Sequence, residues 1–377
     1  MLFATAELKR SWARFVGLTS GAGLLVFVLL FQQALLTVIL DGVAGAVGRQ
    51  SAPVLVFARD ARRAVGGSLL TSEQLTTVAA QPGVADAAEL GVTAVSIRGP
   101  GSERRHNASV VGYQPGRPGS PTGLETGRMP DAPNEVVASA EDAPGRYRVG
   151  DTLTVEPGDV ELVVVGLTVR SRYGLSPTLW VSWPTYVQLV QLTVPNTTVV
   201  LPSVAAVEPA VGVDAADLVR ELNAVAPELE AVTREDAAAT APGKEAIRLA
   251  FLVVLGLGHL VVAVVIAFFF LTLTLQKEPS ITLLRAMGAR ASYLVRGLVC
   301  QVAAVTVGAL AIGALLMALA VPVVRSTVPI TLEPAAIASS GGTALAVALV
   351  GSVPPIRRVL RVDPNAVVSR PLLGTTR

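Results

Sequence analysis

Cysteine, histidine and charge are all scarce in this chain. Its 377 residues include one cysteine, Cys300, two histidines, His106 and His259, and only 15% charged residues. A single cysteine allows no internal disulfide, so any folded block outside the membrane must rest on its own core. Two histidines without a cysteine cluster leave no metal-ligand spacing. No nucleophile–base–acid constellation can be built around His106 alone. Gly243-Lys244 lacks both the preceding glycine and the following Ser/Thr of a phosphate-binding loop, so the chain cannot cradle a nucleotide by that route. Acidic residues between 208 and 236 have the spacing of solvated helix faces. The sequence therefore offers no catalytic site, and the expectation is a protein that is not itself an enzyme and holds no cofactor or metal.

What the chain has instead is apolar length. Hydrophobic residues make up 51% of it, and its mean hydropathy is +0.58. Four runs, 15–40, 249–275, 293–324 and 335–356, approach or exceed the ~20 residues that carry a helix across a bilayer. The first run precedes a polar block at 41–247 and the other three follow it. The layout predicts four transmembrane helices in a 1+3 arrangement, with a large extracytoplasmic α+β domain between the first two.

The basic residues orient it. Lys9, Arg10 and Arg14 outnumber Glu7 before the first run. Lys277, Arg285, Arg290 and Arg296 outnumber Glu278 between the second and third, and five arginines outnumber Asp363 in the tail 357–377. Lys and Arg concentrate on the cytoplasmic side. Both termini and the 276–296 loop are thus expected in the cytoplasm of a multi-pass plasma-membrane protein. These cations flank apolar runs rather than striping a soluble face, which argues against nucleic acid as a partner. The first run is too long for the core of a cleaved signal, although Ala44-Gly45-Ala46 resembles a cleavage site. Residues 1–14 read as an amphipathic helix lying in the lipid interface.

Within 41–247 the sequence predicts two strand–helix–strand units, at 52–98 and 197–233. In the first, Thr71 caps a helix over 72–80 with Gln74 three residues on, a capping box. In the second, a strand at 198–204 precedes a helix capped by Asp214. Two such units imply a split βαβ fold. The Gly- and Pro-rich stretch 99–182 reads as a β-rich insert, and Pro184 starts a short helix after it. Asn107 and Asn196 match a glycosylation acceptor and read as loop or strand-start residues.

Three features stand out in the spans and their connections. Gly17 and Gly21 form a GxxxG pair suited to close helix packing. His259 lies inside the second run, where an ionisable group faces the bundle; packing is its expected role, with Gln32 and Gln301 as candidate partners. Between the second and third runs, Glu278 can cap and Pro279 can start a helix that Gly288 ends. Ile281, Leu284 and Met287 give that segment, 277–290, an apolar face on the cytoplasmic side. Such a face lies on the membrane surface or docks into a partner's groove.

The run Leu283-Leu284-Arg285-Ala286-Met287-Gly288-Ala289 resembles the "LLRAxGA" motif of the FtsX-like, MacB-type ABC transporter permeases, and the ending Pro354-Pro355-Ile356 through Asp363-Pro364 is similar to theirs. Weaker similarities lie at Gly127-Arg128 with Glu135-Val136-Val137, and at Gly150-Asp151-Thr152-Leu153 with Val164-Val165-Gly166. The closest flavour is the short DevC-like permeases. The resemblance implies a permease dimer, homomeric or heteromeric, served by a separate ATP-binding subunit that holds ATP and Mg. Segment 277–290 would be its coupling helix, with Glu278, Pro279, Ile281, Leu283, Leu284, Arg285, Met287 and Gly288 at the contact. The family commonly has Glu where this chain has Ser280. Lipid and, where one exists, an extracytoplasmic protein would be further partners. The same resemblance admits an FtsX-like role regulating a cell-wall hydrolase, and composition alone admits a membrane-anchored enzyme.

Overall fold

The computed structural model describes residues 12–101, 104–142, 147–174, 176–286 and 291–324, with 338, 339, 341–343, 346 and 350. The interfacial segment before Trp12, most of 335–356 and the basic tail lie outside the described residues. Two compact units separate: one contains Leu36–Leu249, the other Ala250–Val323 with the first part of the chain.

Among the described residues, three helices are long and apolar enough to cross a membrane: α1 (Trp12–Gly48), α6 (Lys244–Ala286) and α7 (Ala291–Val324). At 37 residues, α1 would measure ~55 Å, well beyond the ~30 Å of hydrocarbon. Its last turns, from Leu36 on, belong to the α+β unit.

Among the described residues, that unit has ten strands. β1 (Val54–Ala58), β2 (Val84–Arg98), β9 (Val204–Pro209) and β10 (Leu229–Thr233) pair antiparallel in the order β10-β1-β9-β2. Helix α2 (Ser72–Ala79) links β1 to β2, and α4 (Ala215–Val225) links β9 to β10. This is the order of a split βαβ fold. The capping box is present, with Thr71 N–H donating to Gln74 Oε1 at 2.9 Å and Gln74 N–H to Thr71 Oγ1 at 3.2 Å. Asp214 caps α4 through Ala216 N–H at 2.8 Å. Val54 and Val56 on one face of β1 join Val78 of α2 and Leu218 and Leu222 of α4 in one core. Leu55 and Phe57 point to the other face and join a second core. Burial on both faces explains why β1 is a continuous apolar run rather than an alternating one.

The third strand of this fold lies later than the sequence suggested. Residues 197–203 form no strand, and β9 starts at Val204. Pro202 has no N–H for a ladder, and its carbonyl instead accepts from Leu70 N–H at 2.9 Å. Val204-Ala205-Ala206-Val207 behind it is fully buried between β1 and β2.

The β-rich stretch is a closed barrel. β3 (Arg105–Tyr113), β5 (Glu135–Ser139), β6 (Thr152–Glu156), β7 (Val160–Thr168) and β8 (Thr178–Ser182) close on the far half of β2, through the pairings β2-β3-β8-β5-β7-β6-β2. All six strands send side chains inward: Val95 and Ile97, Ala108 and Val110, Leu179 and Val181, Val136 and Ala138, Leu162 and Val164, Leu153 and Val155. The boundary with the split βαβ unit therefore falls inside β2, not at residue 99. Residues 84–90 of β2 pair with β9, and 96–98 pair with β6. Closure removes strand edges that an open insert would expose. β4 (Leu124–Gly127) adds to β7 outside the barrel.

Helix α3 (Trp183–Thr193) packs on β2 and β3 through Tyr186. The paired glycines Gly91 and Gly112 make room for its ring, since a Cβ on Gly112 would lie 2.2 Å from Tyr186 Cγ. Helix α5 (Arg234–Ala239) then leads into α6. Asn107 sits within β3 and Asn196 in a turn at φ 69°. His106 bonds Tyr147 Oη at 2.9 Å, and the acidic residues Glu208, Asp214, Asp217, Glu221 and Glu228 are exposed.

Candidate functional site

The expected coupling residues Glu278, Pro279, Ile281, Leu283, Leu284 and Arg285 all lie on α6, which runs unbroken to Ala286. Met287 and Gly288 lie outside the described residues. The structure thus merges the second run and the segment after it, where the sequence suggested a new helix starting at Pro279. Leu275-Gln276-Lys277-Glu278 contains no turn-forming residue.

Gly17 and Gly21 are exposed on α1, and a Cβ on either would meet nothing within 4 Å among the described residues. Close packing in this unit occurs elsewhere. Ala22, Val26 and Leu30 form one stripe of α1 against Ala309 of α7. A Cβ on Gly23 would lie 2.6 Å from Ile312 Cγ2, and one on Gly313 would lie 2.7 Å from Val26 Cγ1. Gly258 of α6 similarly faces Leu29. Small residues let helix backbones approach in lipid, where no hydrophobic force draws helices together. These three glycines share no GxxxG spacing within one helix, so the contacts within this unit fall elsewhere than on Gly17 and Gly21.

His259 carries its proton on Nδ1, which donates to Leu255 O at 2.7 Å one turn back. Its Nε2 lies 3.3 Å from Thr343 Oγ1. The partners differ from Gln32 and Gln301 because the one-turn carbonyl is the nearest acceptor along the helix. Cys300 is free and exposed on α7, not packed.

Sequence reasoning missed a second locus, where the end of α1 enters the α+β unit. Ala46 N–H donates to Arg172 O at 2.8 Å, and Gly42 O accepts from Gly174 N–H at 2.6 Å. A Cβ on Gly42 would lie 2.3 Å from Gly174 O, and one on Gly45 2.8 Å from Arg172 O. Past the helix, Ser51 N–H donates to Ser120 O at 2.9 Å and Thr122 N–H to Arg49 O at 2.8 Å. Ala46 and Val47 pack into the core that holds Leu55, Phe57, Tyr113 and Trp180. The Gly42-x-x-Gly45 spacing was the available signal.

The loop that receives α1 is itself fixed. Trp180 Nε1–H donates to Ser171 O at 3.0 Å, Tyr173 N–H to Thr178 Oγ1 at 2.8 Å, and Thr168 and Ser171 share a hydroxyl bond of 2.7 Å. Arg170 N–H donates to Glu141, which also accepts from Ser139.

The motif residues of the outer block meet at one corner of the barrel. Glu135 accepts from both Nη1 and Nη2 of Arg128, and from the N–H groups of Asp131 and Ala132 at 2.9 and 3.1 Å. These donors, Arg128 first, hold its carboxyl down at about 2. Its contribution is therefore fully present above pH ~4.5 and lost as pH falls through about 2. The Arg128 side chain is exposed to solvent, which screens the pair, so its contribution is small. Glu135→Gln should lower the melting temperature slightly at neutral pH and flatten the acid limb of a pH–stability curve. An unchanged acid limb would remove Glu135 as its source. Gly166 lies beneath this corner, where a Cβ would come 2.4 Å from Arg128 O.

Residues 252–364 match the family model for the FtsX-like permease C-terminal domain. That segment takes in most of α6, all of α7 and the two resembling motifs at 283–289 and 354–364. Among solved structures, the chain is similar to the periplasmic region of MacB from Actinobacillus actinomycetemcomitans, at 12% identity and a TM-score of 0.36, over 51% of this chain and 94% of that one. It is similar also to the extracellular domain of the noncanonic ABC-type transporter YknZ from Gram-positive bacteria, at 14% identity and a TM-score of 0.30, over 44% of this chain and 89% of that one. A domain of a putative permease protein from Porphyromonas gingivalis aligns at 14% identity and a TM-score of 0.33, over 50% and 90%. No curated protein matches the chain significantly.

Proposed function

We propose that the chain is the permease subunit of an ABC transporter, coupling ATP hydrolysis in a separate cytoplasmic subunit to movement of its α+β domain across the membrane. The observation that carries this reading is the FtsX-like permease match over 252–364. Three long apolar helices around one large α+β block support it. In this reading 335–356 supplies the fourth span, both termini are cytoplasmic and a second permease chain completes the dimer. ATP and Mg are held by the ATP-binding subunit, for which this chain supplies the 277–290 segment. An apolar stripe of Ile281, Leu284 and Met287 suits a groove on such a subunit.

Two experiments test it. A photo-crosslinking residue at position 281 should capture an ATP-binding protein in native membranes; capture of lipid alone would leave the segment a surface-lying helix. With Cys300 replaced by serine, Ser102→Cys should react with an impermeant thiol reagent from outside, while Thr375→Cys should not. The reverse labelling would overturn the 1+3 orientation.

A further inference from the structure

We infer that Gly42 and Gly45 form a backbone joint through which the end of α1, from Leu36 on, and the barrel half of the α+β domain move as one piece. The inference deepens the proposed function, in which that domain must be moved from the membrane. The peptide link from α1 to β1 is only residues 49–53, and a bare link of that length would let the helix swivel. The structure replaces it with a grip. Ala46 N–H donates to Arg172 O at 2.8 Å, and Gly42 O, one helical turn back, accepts from Gly174 N–H at 2.6 Å. Side chains do not make these bonds, so no rotamer change can release them. Only glycine permits them, because a Cβ at 42 or 45 would overlap Gly174 O or Arg172 O.

The grip sits on the barrel half. Arg172 and Gly174 follow β7 and precede β8, and Trp180 and Thr178 of β8 anchor their loop. β8 pairs with β3 and β5, in the barrel wall. A rotation or slide of this end of α1 is therefore passed to that wall through the main-chain bonds at Gly42 and Ala46 and the loop that Trp180 and Thr178 anchor. Gly42 and Gly45 act as positioning residues.

The joint is tested by hydrogen exchange on the full chain in nanodiscs. The Ala46 and Gly174 amides should be protected together in the native chain. Gly45→Val should release both, while amides of β9, such as Val207, keep their protection and show the fold intact. Gly45→Ala should give a smaller loss of protection at the same two amides. Rapid exchange at Gly174 in the native chain, or unchanged protection of Ala46 in Gly45→Val, would overturn the joint. No ATP-binding subunit is needed for this readout. Paired protection in a chain that binds no such subunit would leave the joint standing and remove the transporter reading. A bound subunit with independently exchanging amides would do the opposite.

Discussion

Leu284→Asp should abolish ATP hydrolysis by the complex with the proposed ATP-binding subunit while leaving the chain in the membrane at its normal level. Leu284 lies on α6 near its end at Ala286. In the docked state its side chain would sit in an apolar groove of the ATP-binding subunit. A carboxylate there would be buried without a partner, at a cost of about 3 kcal/mol or more, roughly a hundredfold in binding. Met287→Asp should behave alike. A partner bound through charge alone would tolerate both changes, and full activity in both would show that 277–290 is not the coupling segment. Membrane level and native exchange in the α+β domain separate a docking defect from a folding one.

The second large effect falls on stability. Trp180→Ala should destabilise the domain by about 3–5 kcal/mol, the range for removing a buried aromatic. Trp180 is fully buried in the core shared by β1, the barrel wall and the end of α1. It meets Tyr113 edge-on with ring centroids 6.1 Å apart, and its indole N–H holds Ser171 O. Thermal unfolding of the full chain should shift down on the order of 10 °C. Trp180→Phe keeps most of the packing and loses one hydrogen bond, about 1 kcal/mol. A loss as large in Trp180→Phe as in Trp180→Ala would show that the indole N–H, not the volume, is what the core needs.

Much of this architecture was legible in the residues. Apolar length announced α1, α6 and α7, because nothing but a span or a buried helix needs so many apolar residues in a row. The Thr71–Gln74 box and the Asp214 cap located two helix starts, since capping is local chemistry between residues close in sequence. The split βαβ order followed from two helix-linked strand pairs. What escaped was non-local. Barrel closure depends on β6 reaching β2 across more than fifty residues of intervening chain, and no periodicity records that pairing. The strand expected over 198–204 looked right by composition, yet Pro202 and burial moved it to Val204. Gly17 and Gly21 had the packing spacing, while the glycines in contact were Gly23, Gly258, Gly308 and Gly313, whose relation exists only between helices. The joint at Gly42 and Gly45 was hidden for the same reason: its partner loop lies more than a hundred residues on. At the barrel corner, by contrast, the motif residues Gly127, Arg128, Glu135 and Gly166 do meet, and their close approach gives the pattern a physical cause.

The central claim is that this chain passes work from an ATP-binding subunit to its own α+β domain. The most direct measurement is to purify the tagged chain from its native membranes, identify what accompanies it and assay MgATP hydrolysis with and without Leu284→Asp. The account predicts an ATP-binding subunit at equal stoichiometry and hydrolysis that the substitution removes. A chain that purifies alone, under conditions where a known ABC complex survives, would contradict it and leave a free-standing membrane-anchored domain.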